Sequence, residues 1–184
     1  RNRGYYKIEG ASRAFNFDFK NKTVLDIGSS TGGFTQYALE QGAKKVIAIE
    51  KGTNQMAKPL RFDPHIDLHE KTDIFNVKLE GKDTPDIILA DVSFISLKGV
   101  LAHAKENLAN QNTEFLIMLK PQFEAKPDQL NRGVIKNEKI RREIIKNFEA
   151  WLKQNHFITL DKRDNTLHGK NGNIERFYYL KLAK

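Results

Sequence analysis

The sequence contains no cysteine, which excludes a disulfide framework, a cysteine-ligated zinc site, an iron–sulfur cluster and a thiol nucleophile. It also lacks any apolar run near the roughly 20 residues that a membrane-spanning helix needs. Its first residues have no apolar core of the kind found in a secretory signal. The 184 residues are enough for one domain with a full hydrophobic core. These features predict a globular, cytoplasmic protein.

Basic residues outnumber acidic ones, 31 to 23, and give a formal net charge of +8. The excess is uneven along the chain. Residues 1–22 carry six basic and two acidic side chains, residues 120–146 carry eight and four, and residues 153–184 carry seven and three. Such segments form either ordinary solvated surface or a surface that binds a polyanion such as RNA.

Short apolar segments rich in β-branched residues alternate with helical patterns over most of the chain. This alternation, followed by two late strands, predicts a doubly wound α/β sheet that is mostly parallel. Residues 1–22 fall outside the pattern and are predicted to be an appendage or linker to a domain over 23–184, and residues 121–136 are predicted to be a loop. The predicted strands are 23–27, 45–50, 66–70, 86–90, 114–119, 157–160 and 174–182, and the predicted helices are 34–41, 55–61, 97–108 and one capped by Asn137.

A glycine-rich segment, Asp26-Ile-Gly-Ser-Ser-Thr-Gly-Gly-Phe34, follows the first predicted strand. It does not fit a dinucleotide fingerprint, because Ser30 replaces the second glycine, nor a P-loop, because Phe34 replaces the lysine. An S-adenosylmethionine loop needs an acidic residue before the first glycine, and Asp26 meets that requirement. A simple glycine-rich turn remains the alternative. In a cofactor loop the binding residues would be Asp26, Gly28, Ser29, Ser30, Gly32, Gly33 and Phe34.

Two further acidic residues lie at predicted strand ends, where ligands of open α/β sheets bind. Glu50 ends the second strand, about two dozen residues after Asp26, at the place where a carboxylate meets ribose hydroxyls in nucleoside-binding sheets. Asp73 follows the third strand and could reach an adenine amino group. Both predict a nucleoside-containing cofactor, although either could be an ordinary acidic residue at a strand end.

The fourth and fifth predicted strands end in Asp91-Val-Ser-Phe94 and in Lys120. Enzymes that methylate base amino groups often carry two prolines after the acidic residue, and Val92 and Ser93 argue against that chemistry. Burying an ammonium group is unfavourable unless it has a partner, so Lys120 either extends to the surface or pairs with Asp91. A lysine held by carboxylates can accept the proton of a ribose 2′-hydroxyl or stabilise the developing alkoxide.

These motifs, together with Lys120-Pro-Gln-Phe-Glu124 and Gly172-Asn-Ile-Glu175, closely resemble the TlyA family of hemolysin A and ribosomal RNA 2′-O-methyltransferases. The catalytic domain of that family is FtsJ-like, or RrmJ-like. The resemblance covers nearly the whole chain. It implies a Rossmann-like class I methyltransferase with a seven-stranded sheet, S-adenosyl-L-methionine as the cofactor, and ribosomal RNA or ribosomal subunits as the partner.

FtsJ-like enzymes use a Lys-Asp-Lys-Glu tetrad. The resemblance implies that Lys120 is the base or alkoxide stabiliser and that Lys7, Asp91 and Glu175 orient it and the ribose. Residues 1–22 are therefore predicted to contribute to the active site through Lys7, and Asp91 is also predicted to contact the cofactor. The chain departs from the family pattern at Tyr5, which replaces a glycine, at Glu50, where aspartate is common, and over residues 125–132, which replace a glycine-rich segment. Family members also carry a small upstream S4 RNA-binding domain, which we expect to have been removed or lost from this chain.

Two other functions stay open at this point. One is a non-catalytic RNA-binding module that keeps the methyltransferase fold. The other is a membrane-active hemolysin, although the amphipathic pattern over 137–155 is better explained by core packing. No metal site is expected, because His65 and His69, four residues apart, lie in a predicted strand. Four aromatic residues are predicted to pack in the core rather than to stack on bases, namely Phe15, Phe17, Phe19 and Trp151.

Overall fold

The computed structural model describes residues 1–168 and 172–184. A seven-stranded sheet runs through its centre in the order β3-β2-β1-β4-β5-β9-β8. The strands are β1 (Thr23–Ile27), β2 (Lys45–Ile49), β3 (Ile66–His69), β4 (Ile87–Ala90), β5 (Glu114–Leu119), β8 (Phe157–Asp164) and β9 (Arg176–Leu182), and a separate hairpin contains β6 (Leu130–Asn131) and β7 (Val134–Ile135). The helices are α1 (Arg3–Phe15), α2 (Gly33–Glu40), α3 (Lys58–Arg61), α4 (Leu97–Asn107) and α5 (Glu138–Gln154).

The sheet confirms the predicted mostly parallel α/β fold. β1 pairs in parallel with β2 and β4, and β9 joins β5 in the antiparallel direction. The short central strands are mostly apolar because helices cover both faces of the sheet. One face packs against α4 and α5, and the other packs against α1 and α2. The strand order reverses between β1 and β4, so their adjacent carboxyl ends form the switch point at which open sheets bind ligands.

The first 22 residues, predicted as an appendage or linker, contain α1 and contribute to the core. Asn2 caps α1 by accepting a hydrogen bond from the Tyr5 backbone N–H at 3.0 Å. The buried side of α1 includes Tyr5 and Ile8, and it packs against α2. The predicted packing role of the aromatic residues is confirmed, since Phe15, Phe17 and Phe19 are buried and Trp151 is partly buried against the core.

Other predicted elements differ mainly in length. The helix predicted over 55–61 is reduced to α3, with Pro59 in its first turn, where a missing N–H costs no hydrogen bond. The predicted 121–136 loop contains two 3₁₀ turns and the β6–β7 hairpin. β8 extends four residues beyond the predicted strand because it pairs with β9 up to Asp164. Of the predicted loop between these two strands, Gly169 lies outside the described residues.

Candidate active site

The glycine-rich loop joins β1 to α2 and is held against the neighbouring strand. The backbone N–H groups of Gly28 and Ser29 both donate to the Ile49 carbonyl, at 2.9 and 3.1 Å. Gly28 has a φ of 77° and Gly32 a φ of 98°, a conformation that glycine adopts without steric cost. The loop therefore turns sharply and places its backbone above the carboxyl ends of β1 and β2.

Gly28 also lies directly against the end of β4. A Cβ atom at this position would collide with the Asp91 backbone carbonyl oxygen. The absent side chain thus allows the loop to contact Asp91 and brings two of the predicted site segments together.

We expect Gly28→Ala to destabilise the fold by about 2–4 kcal/mol. The alanine would have to adopt a left-handed backbone conformation, and its Cβ would clash with the Asp91 carbonyl. Gly81→Ala is the matched control, because Gly81 has a φ of 60° and open space where its Cβ would lie. Urea unfolding of both variants measures the difference. A Gly28→Ala variant no less stable than Gly81→Ala would contradict the close packing.

A cavity of about 320 Å³ opens at this edge of the sheet. Glu50, Asp73 and Asp91, which are the acidic residues predicted at three strand ends, all line it, together with Gly28 and Ser30. A smaller cavity of about 90 Å³ lies between the loop and the start of α1, and it also contacts Asp91. Of the other predicted loop residues, the smaller cavity is lined by Ser29, Gly33 and Phe34.

The Glu50 carboxylate is fixed by backbone groups. Its Oε1 accepts from the Ser30 N–H and its Oε2 from the Gly52 N–H, both at 2.9 Å. Each carboxylate oxygen can accept a further hydrogen bond, so a fixed Glu50 can receive the two hydroxyls of a ribose. Asp73 accepts from the Phe75 N–H at 3.0 Å and lies on the other side of the same cavity.

Asp26 and Gly32 occupy positions different from those predicted for cofactor contact, since neither lines the two cavities. Gly32 begins α2 and faces Leu60 and Met56. The Asp26 side chain is fully buried beneath the loop, where Oδ2 accepts from the Thr35 hydroxyl at 2.6 Å. A carboxylate in this position supports the loop. Burial, partly offset by the Thr35 hydrogen bond and reinforced by Asp91 and Glu50, raises the pKa of Asp26 to about 7.

The raised pKa of Asp26 predicts a pH-dependent stability. Between about pH 4 and pH 7 the folded state keeps a proton on Asp26, whereas an unfolded Asp, with a pKa near 3.9, has already released it. The stabilisation is therefore complete below about pH 4 and is lost as the pH rises through 7. Asp26→Asn cannot titrate, so the difference in unfolding free energy between wild type and variant should shift against the wild type by a few kcal/mol from pH 4 to 8. Urea midpoints across this range measure it, and parallel profiles would contradict the assignment.

Lys120 and Asp91 form an ion pair at the carboxyl ends of β5 and β4. The Lys120 Nζ lies 2.6 Å from Asp91 Oδ1 and donates to the Ser93 hydroxyl at 2.8 Å. The two side chains are 14% and 22% exposed, so they are accessible from the surface while largely shielded from water. Sequence reasoning considered this pairing as one of two alternatives, and it did not identify Ser93 as the second partner of Lys120.

Lys7 and Glu175 form a second, more deeply buried ion pair. Lys7 Nζ donates to Glu175 Oε1 at 2.5 Å, and the two side chains are 11% and 3% exposed. Antiparallel pairing of β5 with β9 ends at Leu119 and Arg176, so Lys120 and Glu175 are the next residues on each side of that ladder. The structure thus brings Glu175 to the same sheet edge as Lys120. Among the described residues, no ion pair joins Lys120 to Glu175 or Lys7 to Asp91.

The segment that carries Glu175 is fixed by residues that sequence reasoning did not single out. Arg141 on α5 donates to the Ile174 carbonyl at 3.2 Å, and the buried Asn173 donates to the Gly133 carbonyl at 3.0 Å. The Glu175 carbonyl accepts from the Asn165 N–H at 2.8 Å. Among these residues, only Arg141 could have been noticed in the sequence, as an arginine within an amphipathic helix.

Comparison with known proteins now decides the family, because the FtsJ-like methyltransferase family matches residues 1–182. The chain belongs to this family. It is 38% identical over 181 residues to the 23S rRNA (cytidine-2′-O)-methyltransferase TlyA of Campylobacter jejuni, covering 96% of this chain and 69% of that protein. It is 36% identical over 175 residues to Hemolysin A of Brachyspira hyodysenteriae, covering 92% and 71%.

The fold agrees with that of a solved relative. A structure described as that of a hemolysin candidate from Streptococcus thermophilus superposes with a TM-score of 0.92 and 31% identity, over 100% of this chain and 67% of that one. The predicted resemblance to TlyA proteins is therefore confirmed, and so is the methyltransferase fold.

Proposed function

We propose that this chain transfers a methyl group from S-adenosylmethionine to a ribose 2′-hydroxyl of ribosomal RNA. The observation that carries the proposal is the position of the Lys120–Asp91 and Lys7–Glu175 ion pairs at the same edge of the sheet, where Asp91 also lines the cavity. The name of the Campylobacter jejuni relative, which specifies cytidine-2′-O methylation of 23S rRNA, supports the choice of substrate.

The cavity residues fit the proposed cofactor. Glu50 would accept from the ribose hydroxyls, Asp73 from the adenine amino group, and the Gly28–Gly33 backbone would approach the methionine portion without interference from side chains. When bound, S-adenosylmethionine supplies a methyl group on a positively charged sulfur, which a ribose oxygen can attack while the hydroxyl proton is lost. Asp91, which lines both cavities, joins this cofactor site to Lys120.

Lys120 Nζ is the group that acts on the 2′-hydroxyl. Asp91 and Ser93 fix its position from two directions, so that a donor or acceptor is already in place where the oxygen reacts. As a free amine Nζ accepts the hydroxyl proton, and as an ammonium it stabilises the negative charge that develops on the oxygen. The backbone of Asp91 is held in place, because its carbonyl packs against Gly28.

Lys7 and Glu175 orient the ribose on the other side of this position. Glu175 is an acceptor for a sugar hydroxyl, and Lys7 keeps its carboxylate in one place. Since Lys7 lies on α1, the N-terminal helix becomes part of the active site rather than a peripheral segment.

The test is transfer of radiolabelled methyl from S-adenosylmethionine to RNA. This chain should label intact ribosomal subunits or deproteinised ribosomal RNA, and the Lys120→Ala variant should not. Failure to exceed the variant on both substrates would reject the proposed function.

Calorimetry with S-adenosylmethionine separates the proposal from a non-catalytic module, which would bind without turnover or not bind. A membrane-active role has no support from the helices of the described residues, because none is long and apolar enough to span a bilayer. Leakage from liposomes at low protein concentration would support a membrane-active role.

A further inference from the structure

The three basic segments of the sequence differ in how their charges are used. In residues 1–22, four of the six basic side chains are ion-paired: Arg1 with Glu40, Lys7 with Glu175, Arg13 with Glu9, and Lys22 with Glu114. These charges are largely neutralised within the fold. They therefore leave little positive charge to bind an external polyanion.

In residues 153–184, two of the described basic side chains are ion-paired and a third lies away from the site. Lys162 pairs with Glu149 and Arg176 with Asp164. Lys181 is opposite Glu114 at the start of β5, which is the edge of the sheet remote from the active site.

The middle segment is different, because six of its basic residues are exposed and form no ion pair with another described residue. One is Lys126, and we call the other five the basic strip. They are Arg132, Lys136, Lys139, Arg142 and Lys146.

The basic strip begins beside the active site. The 121–123 turn that directly follows Lys120 packs against β7 and α5, which carry or flank the strip. Asn173 bonds the same hairpin through the Gly133 carbonyl and the Ile135 N–H, two residues before Glu175. The strip therefore contacts the chain segments that adjoin Lys120 and Glu175.

The residues of α5 in the strip share one face. Lys139, Arg142 and Lys146 are spaced by three and four residues, so they form a row along the helix, opposite the buried Ile144 and Phe148. A row of this kind rises about 10 Å along the helix, since each residue advances 1.5 Å.

The hairpin tip carries a second, independent signal. Arg132 and Gly133 are the two central residues of a tight turn and have φ values of 51° and 81°. Such turns favour Asn or Gly at the first position, so Arg132 stands where the backbone disfavours an arginine. Its side chain is exposed at the hairpin tip and can therefore reach a ligand.

We propose that the basic strip binds the phosphate backbone of the RNA that presents the target ribose. The inference rests on the proposed function, because it takes that RNA as the partner. Phosphates bind lysine and arginine without reading the bases, so the strip positions the RNA and leaves the choice of nucleotide to other contacts.

The experiment measures binding of this chain to deproteinised 23S ribosomal RNA over a range of salt concentrations. The triple variant Lys139→Gln, Arg142→Gln, Lys146→Gln should bind about tenfold or more weakly, and the slope of log K against log salt should flatten by about 0.7–0.9 per lost contact. The control triple Lys44→Gln, Lys45→Gln, Lys82→Gln removes exposed, unpaired charges near the amino ends of β2 and β4 within the described residues, and should change neither.

Arg132→Asn sharpens the test, because asparagine suits the turn better than arginine. Its thermal midpoint should be equal to or above that of the wild type, while its RNA affinity and salt slope fall. In this way a binding loss cannot be ascribed to a damaged fold.

The outcomes separate this inference from the proposed function. If the wild type methylates no RNA but the strip variants lose affinity and slope, the strip stands and the proposed reaction fails. If the wild type methylates RNA and the strip variants bind like the wild type, or the control triple loses as much affinity, the strip is overturned. The same binding measurement is repeated with intact ribosomal subunits. If the strip variants lose affinity for the subunits but not for the deproteinised RNA, the strip contacts a ribosomal protein and the inference is overturned.

Discussion

Lys120→Met should lower the rate of methyl transfer to ribosomal RNA by about 10³-fold or more, within the range that removal of a positioned acid–base group produces. Methionine fills a similar volume but can neither take the 2′-hydroxyl proton nor stabilise an oxyanion. The loss should appear in kcat, because Lys120 does not line the cavity proposed for the cofactor. Single-turnover transfer of labelled methyl, with saturating RNA and cofactor, measures it.

Lys44→Met is the matched control for this variant. Lys44 is an exposed lysine near the amino end of β2, so the same change there should leave the rate within about twofold of the wild type. Calorimetry should show that Lys120→Met still binds S-adenosylmethionine. A Lys120→Met rate within tenfold of the wild type would remove Lys120 from the chemistry.

Glu175→Gln should destabilise the fold by about 3–5 kcal/mol, because it leaves the Lys7 ammonium buried without its charged partner. Lys7→Met should have a comparable effect, since it leaves the Glu175 carboxylate, which is 3% exposed, without a cation. The double variant has no buried charge at this position and should recover most of the lost stability. Urea unfolding of the four proteins completes a double-mutant cycle.

Activity in the same cycle distinguishes a catalytic ion pair from a structural one. If Lys7 and Glu175 orient the ribose, the stable double variant remains poorly active and the loss is not rescued with the fold. The control is Lys78→Met with Glu80→Gln, an ion pair whose two side chains are exposed in the segment between β3 and β4. A double Lys7–Glu175 variant that regains both stability and full activity would assign the pair to folding alone.

The strands of the sheet were predictable because their signals are local. Runs such as residues 115–119 are apolar over their whole length, and each ends at a polar or glycine residue that marks the sheet edge. The pairing of Lys120 with Asp91 could be anticipated for the same reason, as both follow buried strands. The pairing of Lys7 with Glu175 joins residues 168 positions apart, and only the family resemblance indicated it.

Other features depend on tertiary contacts and carried weak sequence signals. The β6–β7 hairpin has strands of two residues and an arginine in its turn, so neither alternation nor turn composition indicated it. α1 contains Gly4 and Gly10, which lowers its intrinsic helix propensity, and it is stabilised by burial against α2. The hydrogen bond of Asp26 with Thr35 was not predictable, because in a strand buried on both faces the sequence does not reveal which way a carboxylate points.

The most direct test of the account is the chemical position of the methyl group. Ribosomal RNA labelled by this chain is digested to nucleosides, which are separated and identified by mass spectrometry. The account predicts that the label is found in 2′-O-methylated nucleosides and is lost when Lys120→Ala replaces the wild type. Label on a base, with the ribose unmodified, would contradict the role given to Lys120 and to the two ion pairs around it.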